Sequence, residues 1–142
     1  FAGSYDHEFV HSAGFLWAAG LQTGFVATLI PTTTANVFDC ENFFGLVDRD
    51  NLGSLGSPSL GLVPILINET AATAEVDPDY GAGRTGHFFY FSGGTAEREI
   101  RATGSGAVET CGPNFSLSAD LHRTADGSVG TSISSMSFNK IN

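Results

Sequence analysis

The stretch from His7 to Pro31, HEFVHSAGFLWAAGLQTGFVATLIP, constrains this chain most, because no charged side chain falls between Ser12 and Ile30. So long an uncharged run has to be buried, whether against the chain's own core, a neighbouring subunit or lipid. The spacing predicts a helix over residues 4–22. Tyr5, Phe9, Val10, Ala13, Leu16, Trp17 and Leu21 fall near one face, and Ser4 or Asp6 can cap the first turn. Gly14, Gly20 and Gly24 weaken such a helix by up to ~1 kcal/mol each relative to Ala, and Pro31 ends it. The run approaches the ~20 apolar residues that a membrane span requires. Gln22, the threonines and the glycines dilute it, so a buried helix followed by a short strand is the competing reading.

Composition narrows the partners. The chain has 142 residues, six basic against fifteen acidic groups, and a formal net charge of −9. Phosphate recognition needs Lys and Arg, so nucleic acid is excluded as a partner and an anionic membrane surface is disfavoured. No basic residue precedes Arg49, and the only lysine is Lys140. The apolar stretch therefore has no positive flank to orient it across a membrane. Starting at Phe1 without a basic leader, the chain is expected to be the mature form of a precursor directed outside the cell. Cys40 and Cys111 fit one disulfide in an oxidising compartment. It would close a loop of about 70 residues, worth roughly 4 kcal/mol in the chain-entropy model. Two buried thiols are the alternative. Asn68-Glu69-Thr70 and Asn114-Phe115-Ser116 are glycosylation sequons.

Beyond Pro31 the pattern changes to loops and strands. Residues 31–59 are rich in turn formers. Residues 60–67, LGLVPILI, form an apolar run whose Pro64 argues for an edge or a bulge. HFFYFS (87–92), Gly93-Gly94 and TAEREIRAT (95–103) carry a hairpin signature. In 114–121 Phe115, Leu117, Ala119 and Leu121 alternate with polar residues, the mark of a half-buried strand. A turn at Asp126-Gly127 leads into a further strand over 128–138. The predicted fold is α+β: an N-terminal apolar helix segment (1–31) packed on, or projecting from, a β-rich domain (32–142). That domain would be an antiparallel meander of about four to six strands.

Three motifs could carry chemistry. HEFVH (7–11) resembles the zinc-binding helix of the zincin metallopeptidases. One helical turn brings two imidazoles to the same Zn²⁺, with a glutamate beside them as general base. The resemblance implies zinc ligation by His7 and His11 and catalysis by Glu8. HSAG continues the metzincin pattern and SSMSF (134–138) resembles its Met-turn. The chain departs from that pattern at Trp17, where metzincins place a third histidine, and only six residues precede His7. DRDNLG (48–53) makes Asp48 and Asp50 candidates for calcium, although Leu52 and Ser59 stand where oxygen ligands belong. GAGRTG (81–86) lacks the strand before it and the helix after it that a dinucleotide site requires.

At the level of plan the chain resembles type IV pilins and pseudopilins, on an apolar N-terminal segment ending at Pro31, a Cys pair, and the segments TGHFFYF, REIRATGSG and NFSLSADLHRTADGSVG. That resemblance implies an extracellular filament subunit. Its assembly face would be Phe9, Val10, Ala13, Leu16, Trp17 and Leu21 of the helix, and its partners copies of itself, neighbouring subunits or lipid. The favoured function is accordingly a non-enzymatic secreted or cell-surface structural subunit without a cofactor. A zinc peptidase and a calcium- or glycan-binding surface module are the alternatives.

Overall fold

The computed structural model describes residues 1–13, 19–41, 43, 63–77, 89–92, 97–110, 112–123 and 128–141. Among them there is no helix. The predicted N-terminal helix is instead two strands, β1 (Gly3–His11) and β2 (Gly20–Pro31), paired antiparallel. Seven more follow: β3 (Val37–Glu41), β4 (Val63–Asn68), β5 (Thr73–Val76), β6 (Phe89–Ser92), β7 (Glu97–Val108), β8 (Phe115–Arg123) and β9 (Val129–Lys140). The fold is all-β rather than α+β: β1 and β2 stand where the helix was expected, and seven described strands, β3 to β9, fall within 32–142, where four to six were expected. A pilin-like plan, which depends on an N-terminal helix, is overturned with it.

The alternation of side chains explains the outcome. Along β1, Tyr5, His7, Phe9 and His11 are buried while Asp6, Glu8 and Val10 are exposed, a period of two. Along β2, Phe25, Ala27 and Leu29 are buried. Aromatic and β-branched residues favour such a pleated, half-buried surface. The helical reading grouped Tyr5, Phe9, Val10 and Leu21 on one face; the strands place Tyr5 and Phe9 inward, Val10 and Leu21 outward.

The sheet runs β5-β4-β3-β2-β1-β9-β8-β7-β6, and β5 also pairs with β7. That last pairing (Thr73 with Ala107, Ala74 with Gly106, Glu75 with Ser105) closes eight strands into an antiparallel barrel and leaves β6 attached outside the closure. Sequential strands are neighbours almost throughout, so short connections suffice. The predicted hairpin of 87–103 is present as β6 and β7, with Phe89 opposite Ile100 and Ser92 opposite Glu97. Pro64 lies one residue inside the start of β4, in register with Asp39. Its carbonyl accepts the Asp77 amide at 2.9 Å.

Two of the bulges in the wall shape the interior beside β1 and β8. Between the pairs His7–Phe25 and Phe9–Gln22, Thr23 and Gly24 together face Glu8. Gly24 has φ +80°, the left-handed conformation that glycine adopts without steric cost. In β9, Ser134 and Ser135 both fit between Met136 and Ile133, which keeps both of those side chains inward.

The interior is one packed cluster, including Tyr5, Phe9, Leu29, Cys40, Phe43, Ile65, Phe115, Met136 and Phe138. The described exterior of β7–β9 is largely hydroxylic, with Thr103, Ser105, Ser116, Ser118 and Ser132 exposed. No described helix is long and apolar enough to cross a membrane.

The two ends of the barrel differ. At one end the connections are tight: 32–36, 69–72 and 109–114. Asn36 (φ 65°) and Ala72 (φ 56°) take left-handed conformations in the first two. At the other end, β3, β4 and β5 stop early at five, six and four residues, while β7 and β2 each run to twelve. The long strands therefore continue past the closed part as a wall, and the long connections 42–62 and 77–88 start from strand ends on this side.

Candidate functional site

Chemistry-bearing side chains converge on the inner face of β1, where the cross-strand registers build a row. Phe115 of β8 pairs with Phe138 of β9, Phe138 with His7 of β1, and His7 with Phe25 of β2. Residues directly opposite in antiparallel strands project to the same face, so the rings stack. Phe115 and Phe138 lie 4.4 Å apart between centroids and His7 and Phe138 4.3 Å apart. Tyr5 meets Phe115 edge-on at 5.5 Å. Phe43, beyond the end of β3, closes over this stack, 6.5 Å from His7 and 6.3 Å from Phe138.

His7 is 2% exposed. Its Nε2 lies 2.7 Å from the Phe43 carbonyl oxygen and its Nδ1 lies 3.1 Å from that of Ser137. Both partners are acceptors, and a neutral imidazole has one N–H. The shorter contact assigns that proton to Nε2. Burial holds the His7 pKa below its ordinary value; the two carbonyls and Glu8 oppose the shift.

His11 is also 2% exposed. Nδ1–H donates to the Ser12 carbonyl at 2.9 Å, and Nε2 accepts from the Gln22 amide at 3.2 Å. The Tyr5 hydroxyl donates to the Phe1 carbonyl at 2.6 Å, and the Lys140 ammonium lies 5.6 Å from the Tyr5 ring centroid. Burial, and secondarily the neighbouring Cys40, push the Tyr5 phenol up to about 12. On the outer side, the glycine of the β2 bulge leaves a depression of about 200 Å³ lined by Asp6, His7, Glu8, Gly24, Phe25 and Asn139.

This geometry corrects the zincin reading. A shared zinc ion requires one helical turn between the histidines. On a strand, residues four apart are separated by about 13 Å, and each ring already bonds the groups described above. Glu8 points to the opposite face from both. Among the described residues no group of three His, Cys, Asp or Glu side chains could hold a metal ion.

The other sites singled out from sequence scatter. Cys40 is buried in the core, with its thiol sulphur 3.6 Å from the Glu41 carbonyl, and Cys111 lies outside the described residues. So do the calcium candidates Asp48 and Asp50, together with Leu16 and Trp17 of the expected assembly face; Ala13 is exposed. Asn68 is exposed at the end of β4, its side-chain oxygen accepting the Ala71 amide at 2.9 Å. The Asn114 oxygen accepts the Lys140 amide at 2.8 Å. His122 lies on the exterior, its Nε2 2.7 Å from the Thr103 hydroxyl. Sequence reasoning missed Phe43 and Gln22, which no local pattern marks. It also missed the stack partner Phe138, which an inward alternation carried across the β9 bulge could have found.

Fold and site together define an antiparallel barrel whose interior is filled by an aromatic–histidine stack. No protein-family model matches the chain, and neither a curated protein nor a solved structure is significantly similar to it.

Two groups perturbed among the described residues, His7 and Tyr5, set a pH window for stability. The unfolded chain takes up a proton at His7 near pH 6.5, which the folded state resists. Stability is therefore expected to fall as pH drops below that value, because the unfolded state then binds more protons. At the other extreme the unfolded Tyr5 ionises near pH 10, whereas the folded one holds its proton to about 12. Stability should fall again across that interval. Urea midpoints measured from acid to alkali check both limbs, and Tyr5→Phe should remove most of the alkaline one.

Proposed function

We propose that this chain is a non-enzymatic structural subunit acting at the cell surface or outside the cell. In this reading it is a rigid barrel that associates with copies of itself or neighbouring subunits through the outer face of β1 and β2. The observation that carries it is an exposed apolar cross-strand pair on that face, Val10 with Leu21, and Val26 lies further along β2 in register with Asp6. Leu21 is 60% exposed, Val26 48% and Val10 39%. Val10 and Leu21 are direct cross-strand partners, so their side chains form one continuous surface. Exposed apolar residues grouped in this way, rather than scattered singly, mark interaction surfaces. The chemistry-bearing groups of the interior support the same reading. The Tyr5 hydroxyl and the ring nitrogens of His7 and His11 are engaged in contacts that hold the barrel. The acidic composition fits partners other than nucleic acid.

Size-exclusion chromatography with light scattering over a range of concentrations tests the proposal. The chain is expected to self-associate, and Leu21→Lys is expected to return it to monomer with its thermal midpoint little changed, since an exposed substitution costs within about 0.5 kcal/mol. A wild-type chain that stays monomeric at every concentration, with no partner needing this face, would sink it.

A further inference from the structure

The two glycosylation sequons, distant in sequence, come together at one end of the barrel. Asn68 ends β4 at the start of the 69–72 connection, and Asn114 ends the 109–114 connection ahead of β8. Both connections belong to the tight end. The end of β7 ties them to each other: the Val108 amide donates to the Ala72 carbonyl at 3.0 Å, and the Glu109 amide donates to the Asn114 carbonyl at 2.9 Å. Val10 and Leu21 lie at the opposite end of β1 and β2, where these strands connect through 12–19.

The two differ as acceptors. A glycan is bulky and needs a sequon that stands in solvent. Asn68, Glu69 and Thr70 are all exposed, as are Ala71, Ala72 and Thr73 after them. The bond that the Asn68 side chain makes uses its oxygen, which accepts the Ala71 amide at 2.9 Å. An amide glycosylated on nitrogen keeps that oxygen as an acceptor, so the turn survives the modification. At Asn114 the setting is tighter. The residue is half-buried, and its side-chain oxygen accepts the Lys140 amide of β9 at 2.8 Å. The middle residue of its sequon, Phe115, is 2% exposed and stacked on Phe138 at 4.4 Å. Presenting that segment to an enzyme means drawing Phe115 out of the core.

We propose that Asn68 carries an N-linked glycan in preference to Asn114, and that the tight end is the glycan-bearing end of the subunit, remote from the Val10–Leu21 pair through which it associates. The proposal rests on the extracellular part of the reading above. The donor is a lipid-linked oligosaccharide diphosphate, and the transferase belongs to the secreting cell. Asn68 Nδ2 attacks the sugar C1. The N–C1 bond forms as the bond from C1 to the diphosphate oxygen breaks, the lipid diphosphate leaves, and Nδ2 gives up one proton. The glycan then projects from the 69–72 connection and leaves the outer face of β1 and β2 open.

The test secretes the full chain from a eukaryotic host behind an added signal sequence. Enzymatic release of glycans in heavy-oxygen water, followed by peptide mass analysis, marks each formerly glycosylated asparagine as a labelled aspartate. The expected result is occupancy of Asn68 exceeding that of Asn114 several-fold. Thr70→Ala, which removes the sequon but spares the Asn68–Ala71 bond, should abolish the Asn68 glycan, and Asn114→Gln should leave it. An unoccupied Asn68, or an Asn114 occupied as fully as Asn68, overturns the proposal. Should secretion fail, translation of the chain with microsomal membranes decides, through a gel shift that must disappear in Thr70→Ala. Light scattering on the chain before and after glycan removal tests the placement. Both forms should associate equally; association recovered only on removal overturns it. A chain that associates in neither form counts against the subunit reading, while the map of occupied asparagines still decides Asn68.

Discussion

Phe138→Ala is expected to lower the unfolding free energy by about 3–5 kcal/mol, the range for removing a large aromatic from a packed core. Phe138 is fully buried and central to the stack, with ring contacts to Phe115, His7, Tyr5 and Phe43. Its loss leaves a cavity that the barrel cannot collapse into, because β8 and β1 hold its neighbours in register on either side. Aromatic pairs add about 0.5–1.5 kcal/mol each beyond buried area, which favours the upper part of the range. Against a typical domain stability of about 5–15 kcal/mol, the variant keeps only part of its margin. Urea unfolding should show a lower midpoint at an unchanged slope. Val129→Ala, at a position 49% exposed, serves as control and should stay within about 0.5 kcal/mol of wild type.

Gly106→Val is expected to cost about 3 kcal/mol, at the upper end of the overpacking range. Gly106 stands where the barrel closes, opposite Ala74 of β5 on one side and Leu117 of β8 on the other. A Cβ there would overlap the Ser116 carbonyl and crowd the Leu117 Cα. Those atoms belong to the paired backbone, so relief requires the strands to part, which a flexible side chain in the way would not. Gly104, two residues before it, meets the Ser118 and Ala119 backbone in the same manner. Both glycines therefore let β7 pass close to β8 as the wall curls round. Gly112, where an added Cβ meets nothing within 4 Å, should tolerate alanine. Amide exchange along β5 and β7 would check the mechanism, since opening of this seam should expose Ala74 and Glu75 before the β8–β9 pair.

The second half of the fold was legible because its inward residues are plainly apolar. Phe115, Leu117, Ala119 and Leu121 alternate with polar residues along β8, and the β6–β7 hairpin is marked by its glycine pair. The first half was obscured by two features. The inward positions of β1 include His7 and His11, which a binary pattern counts as polar, so the period of two disappears. The outward positions include Val10, Leu21 and Val26, which fill in an apparent helical face. HExxH strengthened that reading, because its chemistry needs helical spacing. The candidate site was partly visible: His7 and His11 stood out as unusual, for a chemistry that a strand cannot perform. Gln22 reaches His11 across the β1–β2 pairing, and Phe43 reaches His7 from beyond the end of β3; a helical reading of residues 4–22 places neither contact.

The central claim is that residues 3–11 form a barrel strand held between β2 and β9, within a wall closed at β5 and β7. NMR of the uniformly labelled chain tests it most directly, through backbone shifts of β1 and cross-strand contacts. The barrel predicts extended-strand shifts from Ser4 to Val10. It also predicts contacts from His7 to both Phe25 and Phe138, and from Ala74 to Gly106 across the closing seam. Helical shifts over Ser4 to Val10, or the absence of the Ala74–Gly106 contact, would contradict it.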